Sequence, residues 1–328
     1  MNAQPSAGSD AVSYAAPAAS WADLGTPVRY VDHGGPPDGP LLVMVHGLGG
    51  SAVNWAALAP LLTATCRVVA LDLAGFGLTQ PDPAVAAGTS VTANQELLQR
   101  FLSEVMQEPA VLVGNSMGGL ITILETVRHP ESVSGLVLVD PALPTDVRTA
   151  PHPMITVGFA LYAVPRVGAA FIGTRRRSRT AEQYAREVLQ LCCSDPSRVP
   201  AEVFDQHVEL ARQRAELPGA PDLDAQFLAA ARSLLRTIAP GRAYQRMMHS
   251  IDDAGIPVLL MHGDEDRLVS VAAARMAARA HPTWRLEIAH GVGHVPQLEA
   301  PDWTAGTMLG WLAELGLFPA APDVPATR

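Results

Sequence analysis

Four uninterrupted apolar runs, PLLVMVHG, CRVVALDLAG, PAVLVGNS and SGLVLVDPA, constrain the fold of this 328-residue chain more than any other feature. Each is rich in β-branched residues and leucine, and each is ended by glycine or proline. A run that does not alternate apolar with polar side chains fits a strand covered on both faces, as in a parallel sheet. Helical periodicity fills the gaps, at 54–65, 91–107 and 117–128. The scheme resumes with PVLLMHGDED, a helix over 271–280, WRLEIAHGVGH and a helix over 302–315. Alternating strands and helices predict an α/β fold, a mostly parallel central sheet with helices on both faces. No internal repeat is evident.

Residues 143–253 break this rhythm. They lack strand-like runs and carry helix formers, as in TAEQYAREVLQLC and AQFLAAARSLLRTIA. The expectation is an inserted helical cap over the C-terminal edge of the sheet, leaving a core of 21–142 and 254–317. Residues 1–20 and 318–328, rich in Ala and Pro, read as disordered tails. The insertion opens with the apolar MITVGFALYAVPRVGAAFIG and then the basic TRRRSR. Cap packing, an apolar wall for a substrate and contact with a membrane surface are all open readings. Pro165 and Arg166 interrupt the amphipathic pattern that the last of these needs.

Hydrophobic residues make up 48% of the chain and charged residues 17%, so a large core is easily buried. A net charge of −9 argues against a general nucleic-acid binder. The chain has no lysine, which excludes Schiff-base chemistry and a phosphate loop ending in GK[ST]. Cys66, Cys192 and Cys193 give neither a disulfide framework nor a spaced zinc site. No basic segment followed by an apolar one opens the chain, and no apolar run is long enough to span a bilayer. A cytoplasmic protein with neither metal nor organic cofactor is expected.

The pentapeptide Gly114-Asn115-Ser116-Met117-Gly118 matches G-x-S-x-G between a predicted strand and a predicted helix. A serine on such a turn is held in a strained conformation with its oxygen above the sheet. Gly114 and Gly118 then supply the small neighbours that close packing demands. A nucleophilic serine needs a base, and the base an orienting acid. Among ten histidines, His294 follows the last strand in a glycine-flanked loop at the same sheet edge, with His290 as its rival. The acid is sought in LLMHGDEDRLVS, which offers Asp264, Glu265 and Asp266. Asp266 is favoured because its loop extends toward the histidine; Asp264 suits capping of local amides, and Asp140 is a further candidate. Two backbone donors complete the site: Met117, directly after the serine, and Leu48, after His46-Gly47.

HGLGG, DLAGFGLT, GNSMGG, GDEDRLV and GHVPQLEAP occur in order, and with them the chain resembles the α/β-hydrolase fold family over all but its tails and insertion. The resemblance places Ser116, Asp266 and His294 on the family's nucleophile, acid and base positions, and Leu48 and Met117 on its oxyanion positions. Asp72 matches a common structural aspartate. Serine rather than aspartate at the nucleophile position argues against the epoxide hydrolase and haloalkane dehalogenase branches. The function expected is hydrolysis of a small-molecule apolar acyl or aryl ester through an acyl-enzyme. The alternatives are a carbon–carbon hydrolase of the meta-cleavage type, which GNSMGG also resembles, and a non-catalytic ligand-binding relative.

Overall fold

The computed structural model describes residues 13–85, 87–144, 157, 164–217, 222–239 and 241–318. Most of both expected tails and nine of the twenty residues of the apolar opening of the insertion lie outside the described residues, as do the side chains of Arg175, Arg176 and Arg177.

The four runs form β3 (Leu41–Val45), β4 (Arg67–Leu71), β5 (Ala110–Asn115) and β6 (Val133–Val139). Two later runs give β7 (Val258–Gly263) and β8 (Arg285–Ala289). Together with β1 (Ala19–Asp23) and β2 (Pro27–Gly34) they make one eight-stranded sheet in the order β1-β2-β4-β3-β5-β6-β7-β8. β1 pairs with β2 and β2 with β4 antiparallel, and every other pair is parallel. β1 and β2 were not foreseen; β1 is half-exposed with no buried residue, so it lacks the apolar run that marks the others. It opens at Ala19, inside the segment expected to be a tail.

The lack of alternation in the central strands has the predicted cause. Val43 and Val45 of β3 point into one apolar cluster, and Leu42 and Met44 into another on the opposite face. The first face is covered by α1 (Val91–Arg100), α2 (Met117–Arg128) and α8 (Val271–Ala280). The second is covered by α9 (Pro301–Glu314) and by the segment after β3. That segment, expected to be helical over 54–65, forms two 3-10 turns, Ala52–Trp55 and Ala59–Leu61. Pro60 has no N–H for an α-helical bond and would crowd the carbonyl a turn earlier, so a continuous helix is not available. The helix expected over 91–107 keeps its length but changes pitch: a π-helical turn, Phe101–Met106, follows α1 and closes with left-handed Gln107.

Between β6 and β7 the described elements are all helical: α3 (Pro165–Arg177), α4 (Ala181–Cys192), α5 (Ala201–Glu216), α6 (Leu223–Ile238) and α7 (Gly241–Asp253), with a short 3-10 turn at Pro196–Arg198. α7 joins the core, burying Tyr244, Met248 and Ile251 in the cluster that holds α2. α5 and α6 reach the loops at the C-terminal edge of the sheet. Arg214 of α5 donates to the carbonyls of Gly75, at 3.1 Å, and Gly77. Thr89 donates to the Gln226 carbonyl at 3.1 Å, and the Val91 N–H to Ser233 at 3.0 Å. No helix among the described residues is long and apolar enough to cross a membrane.

Candidate active site

The chain runs from β3 out to β4 and returns to place β5 on the other side of β3, with Val45 beside Gly114. Connections therefore leave in opposite directions from the C-terminal ends of β3 and β5, and the gap between them is where an α/β sheet accommodates a ligand. HGLGG leaves one of these ends and Ser116 the other.

Ser116 has φ +55° and ψ −118°, outside the regions that L-residues ordinarily occupy. Backbone bonds hold it there: its N–H donates to the Val139 carbonyl at 3.1 Å, and its carbonyl accepts the Ala142 N–H at 3.0 Å. The flanking glycines are required by contact. A Cβ at Gly118 would lie 2.1 Å from the Val45 carbonyl oxygen, and one at Gly114 2.5 Å from Thr122 Oγ1 and 2.6 Å from the Gly118 oxygen. Gly47 stands against the serine itself, where a Cβ would be 2.9 Å from that of Ser116.

The backbone around the serine leaves two amides unused. His46 Nδ1–H donates to the Gly47 carbonyl at 2.8 Å, and the Gly50 N–H donates to the same oxygen at 3.0 Å. In a trans peptide the N–H points opposite to the C=O, so the Leu48 amide is turned away from His46. The Ser116 carbonyl is likewise occupied by Ala142 and Leu120, which turns the Met117 amide the other way. Neither amide has an acceptor among the described residues. His46 is itself fully buried, and its Nε2 accepts the Leu73 N–H at 3.0 Å. Burial lowers its pKa to about 4, so it stays neutral and keeps its Nδ1 proton on Gly47.

His294 and Asp266 meet. His294 Nδ1 lies 2.7 Å from Asp266 Oδ2, with side-chain exposures of 5% and 0%. A carboxylate only accepts, so Nδ1 carries the proton and Nε2 is left as the basic nitrogen. The other oxygen of Asp266 accepts the N–H groups of Leu268, at 2.7 Å, and Val269, at 3.1 Å. Burial alone pushes Asp266 up, but His294 and these donors hold it below the usual carboxylate range. His290 instead bonds Asp264 at 2.7 Å with its side chain 82% exposed. Asp264 also accepts the Gly291 N–H at 2.7 Å, the capping part expected of it. Asp140 makes no bond to His294; it accepts the Gly263 N–H at 3.0 Å. Asp72 is a structural hub, taking the N–H groups of Ala52 at 2.7 Å and Leu78 at 2.9 Å and pairing with Arg29 at 3.0 Å.

Ser116 and His294 form no hydrogen bond among the described residues. What ties them is Asn115, whose side-chain Nδ2 donates to the Val139 carbonyl at 3.0 Å and to the His294 carbonyl at 3.1 Å. Sequence reasoning passed over Asn115 as the variable letter of the motif; only its burial distinguishes it. Glu299 was missed as well. Its buried carboxylate accepts the N–H groups of Gly293 at 2.8 Å, Asp195 at 2.7 Å and Ser194 at 3.0 Å. It thus joins the histidine loop to the end of α4, where the His294 N–H also donates to the Cys192 carbonyl at 2.7 Å. The Cys192 thiol is pushed up to about 12 by burial and by Asp266, which makes it a poor nucleophile at neutral pH. From α6, the Phe227 ring lies 3.2 Å from where a Cβ of Gly49 would stand, so the insertion covers the HGLGG loop. In the basic run, Arg179 pairs with Glu187 at the surface.

A model of the alpha/beta hydrolase family matches residues 42–307. A dihydrolipoyllysine-residue acetyltransferase component of the acetoin cleaving system, from Cupriavidus necator, is 27% identical over 89% of this chain and 68% of its own length. Monoacylglycerol lipase ABHD6 of Homo sapiens is 24% identical over 89% of this chain and 84% of its own. Among solved structures, a membrane phospholipase A superposes with a TM-score of 0.71 at 26% identity, covering 92% of this chain and 88% of that one.

Proposed function

Because the chain belongs to the alpha/beta hydrolase family, we propose that it is a serine hydrolase cleaving carboxylic esters with apolar acyl or aryl groups. Ser116 is the nucleophile in this reading, His294 the base and Asp266 the acid. The observation that carries it is the buried 2.7 Å bond between His294 and Asp266, with His294 fastened through Asn115 to the strained serine turn. The names of a monoacylglycerol lipase and a phospholipase A among the similar proteins support an ester as the bond cleaved.

The chemistry follows from the proton positions. Nε2 of His294 takes the Ser116 hydroxyl proton as the oxygen attacks the ester carbonyl, and Asp266 stabilises the imidazolium so formed. The free amides of Leu48 and Met117 donate to the tetrahedral oxyanion. They cost no reorganisation, because His46 and Ala142 have already turned their peptides. The imidazolium protonates the leaving alcohol, water enters, and the same base activates it to release the acid. The helical insertion acts as a cap, with Phe227 narrowing the approach to Gly49.

A chain-length series of p-nitrophenyl esters tests this reading. Turnover is expected with every member that fits beneath the cap. Ser116→Ala should reduce kcat by about 10⁴-fold or more. Negligible wild-type turnover across the series, joined to activity on a ring-cleavage dienone, would replace ester hydrolysis by carbon–carbon cleavage.

A further inference from the structure

Asp140 directly follows β6 in a left-handed conformation, with φ +44°, and its side chain is completely buried. Oδ1 accepts the Gly263 N–H, while Oδ2 has no partner among the described residues. Facing it is His262, whose Nε2 lies 3.5 Å from Asp140 Oδ1 and 3.5 Å from Asp266 Oδ2. The three groups have polar atoms all within 4.8 Å of one another.

Which of them carries charge can be worked out. His262 Nε2 is 2.9 Å from the Val269 carbonyl, which can only accept, so Nε2 holds a proton. Its Nδ1 is buried without a partner, and burial lowers its pKa, so the ring is neutral. No cation therefore separates the two carboxyl groups. The other groups that bear on them are His294, on Asp266; Glu299, which adds negative charge toward Asp140; and Arg275 of α8, toward His262. Two buried carboxyl groups this close do not both ionise. Asp266 has three donors, from His294, Leu268 and Val269, and Asp140 has one. The negative charge settles where the donors are. The proton settles on Asp140, whose vacant Oδ2 can hold it, and burial and the charge of Asp266 push the Asp140 pKa well up.

We propose that Asp140 is a proton-bearing positioning residue: a neutral carboxylic acid that steadies the Asp266 and His262 pair and leaves the one negative charge of the cluster on Asp266. This rests on reading Ser116, His294 and Asp266 as a triad. It makes the two aspartates unequal although both lie just past strand ends at the same edge.

The test uses the full chain and the rate of covalent labelling by a fluorophosphonate as a function of pH. That readout needs no knowledge of the natural substrate. Asp140→Asn keeps the shape and the zero charge, so its rate should fall less than about tenfold and the acid limb of its profile should stay in place. Asp140→Ala, which also removes the support, should fall further, by about 10- to 100-fold. Asp266→Asn should fall most, by up to about 10⁴-fold. An ionised Asp140 gives a different pattern: its loss removes a negative charge near His294, lowers the imidazole pKa, and moves the acid limb of Asp140→Asn to lower pH. That shift, or a loss in Asp140→Asn as large as in Asp266→Asn, overturns the proposal. So does an Asp140→Ala rate equal to wild type. If Asp140→Ala does not melt as a folded protein, the Asn profile decides alone. Failure of the triad reading looks different again: no labelling of wild type, or an Asp266→Asn rate equal to wild type.

Discussion

Asn115 fills a position that a motif search treats as free, yet its amide bridges β6 and the His294 backbone from inside the serine turn. Asn115→Leu should remove both bonds and leave two buried carbonyls with one partner fewer, at about 1–3 kcal/mol of stability. His294 would lose its tether to the turn, so kcat should fall by about 10- to 100-fold with KM little changed, because positioning acts on the reacting atoms. Steady-state kinetics and a denaturant melt of the same protein read both effects; unchanged kcat in a destabilised variant would reduce Asn115 to a packing residue. Gly118→Ala is a harsher change. Its Cβ would sit 2.1 Å from a backbone oxygen of β3, which cannot move without disturbing the HGLGG loop. A loss of more than about 3 kcal/mol is expected by chemical denaturation. At this scale the strained turn at Ser116, the meeting of Asp266 with His294 and the close-packed glycines were legible in the sequence, because each needs a residue type that little else explains; their catalytic roles belong to the proposal. Asn115, Glu299 and His46 were not. They act by holding backbone groups that become neighbours only when the sheet is assembled.

Among the elements, the strands that could be read were those covered on both faces; β1, with no buried residue, carried no such mark. Helices were legible where the apolar period ran unbroken, as at α2 and α8. Legibility failed where a proline intervened after β3 and where α1 loosened into a π turn, since periodicity alone does not report pitch. The contacts of the insertion with the core are equally hidden in sequence. Arg214 of α5 is the clearest of them, a buried guanidinium bonded to two loop carbonyls, with its pKa lowered by burial. Arg214→Met should preserve much of the apolar stem while removing these bonds. Hydrogen exchange is then expected to quicken across α5 and the 72–79 loop but not in α2. Equal acceleration in all three would mean global destabilisation rather than release of one element.

For the whole molecule, buried neutral histidines tie stability to pH. His46 titrates near 4 in the folded chain against 6.5 when unfolded, and burial shifts His207 and His262 in the same direction. Above the unfolded value neither state binds the proton and nothing is lost. As pH falls through 6.5 toward 4 the unfolded chain takes up protons that the folded chain refuses, so stability declines. His46 alone accounts for roughly 3 kcal/mol by pH 4. Melting temperature should therefore drop steadily from pH 7 to pH 4.5, and a flat profile would show that these rings are solvated.

In the proposed reading these groups serve one arrangement, in which a strained serine at the switch point of the sheet works with a histidine held by a buried aspartate. The most direct measurement is to treat the folded protein with a fluorophosphonate and map the adduct by mass spectrometry. A single adduct on Ser116, absent in Ser116→Ala and strongly slowed in Asp266→Asn, is the expected result. A folded wild type that takes no label, or takes it on another residue, would contradict the assignment of Ser116 as the nucleophile.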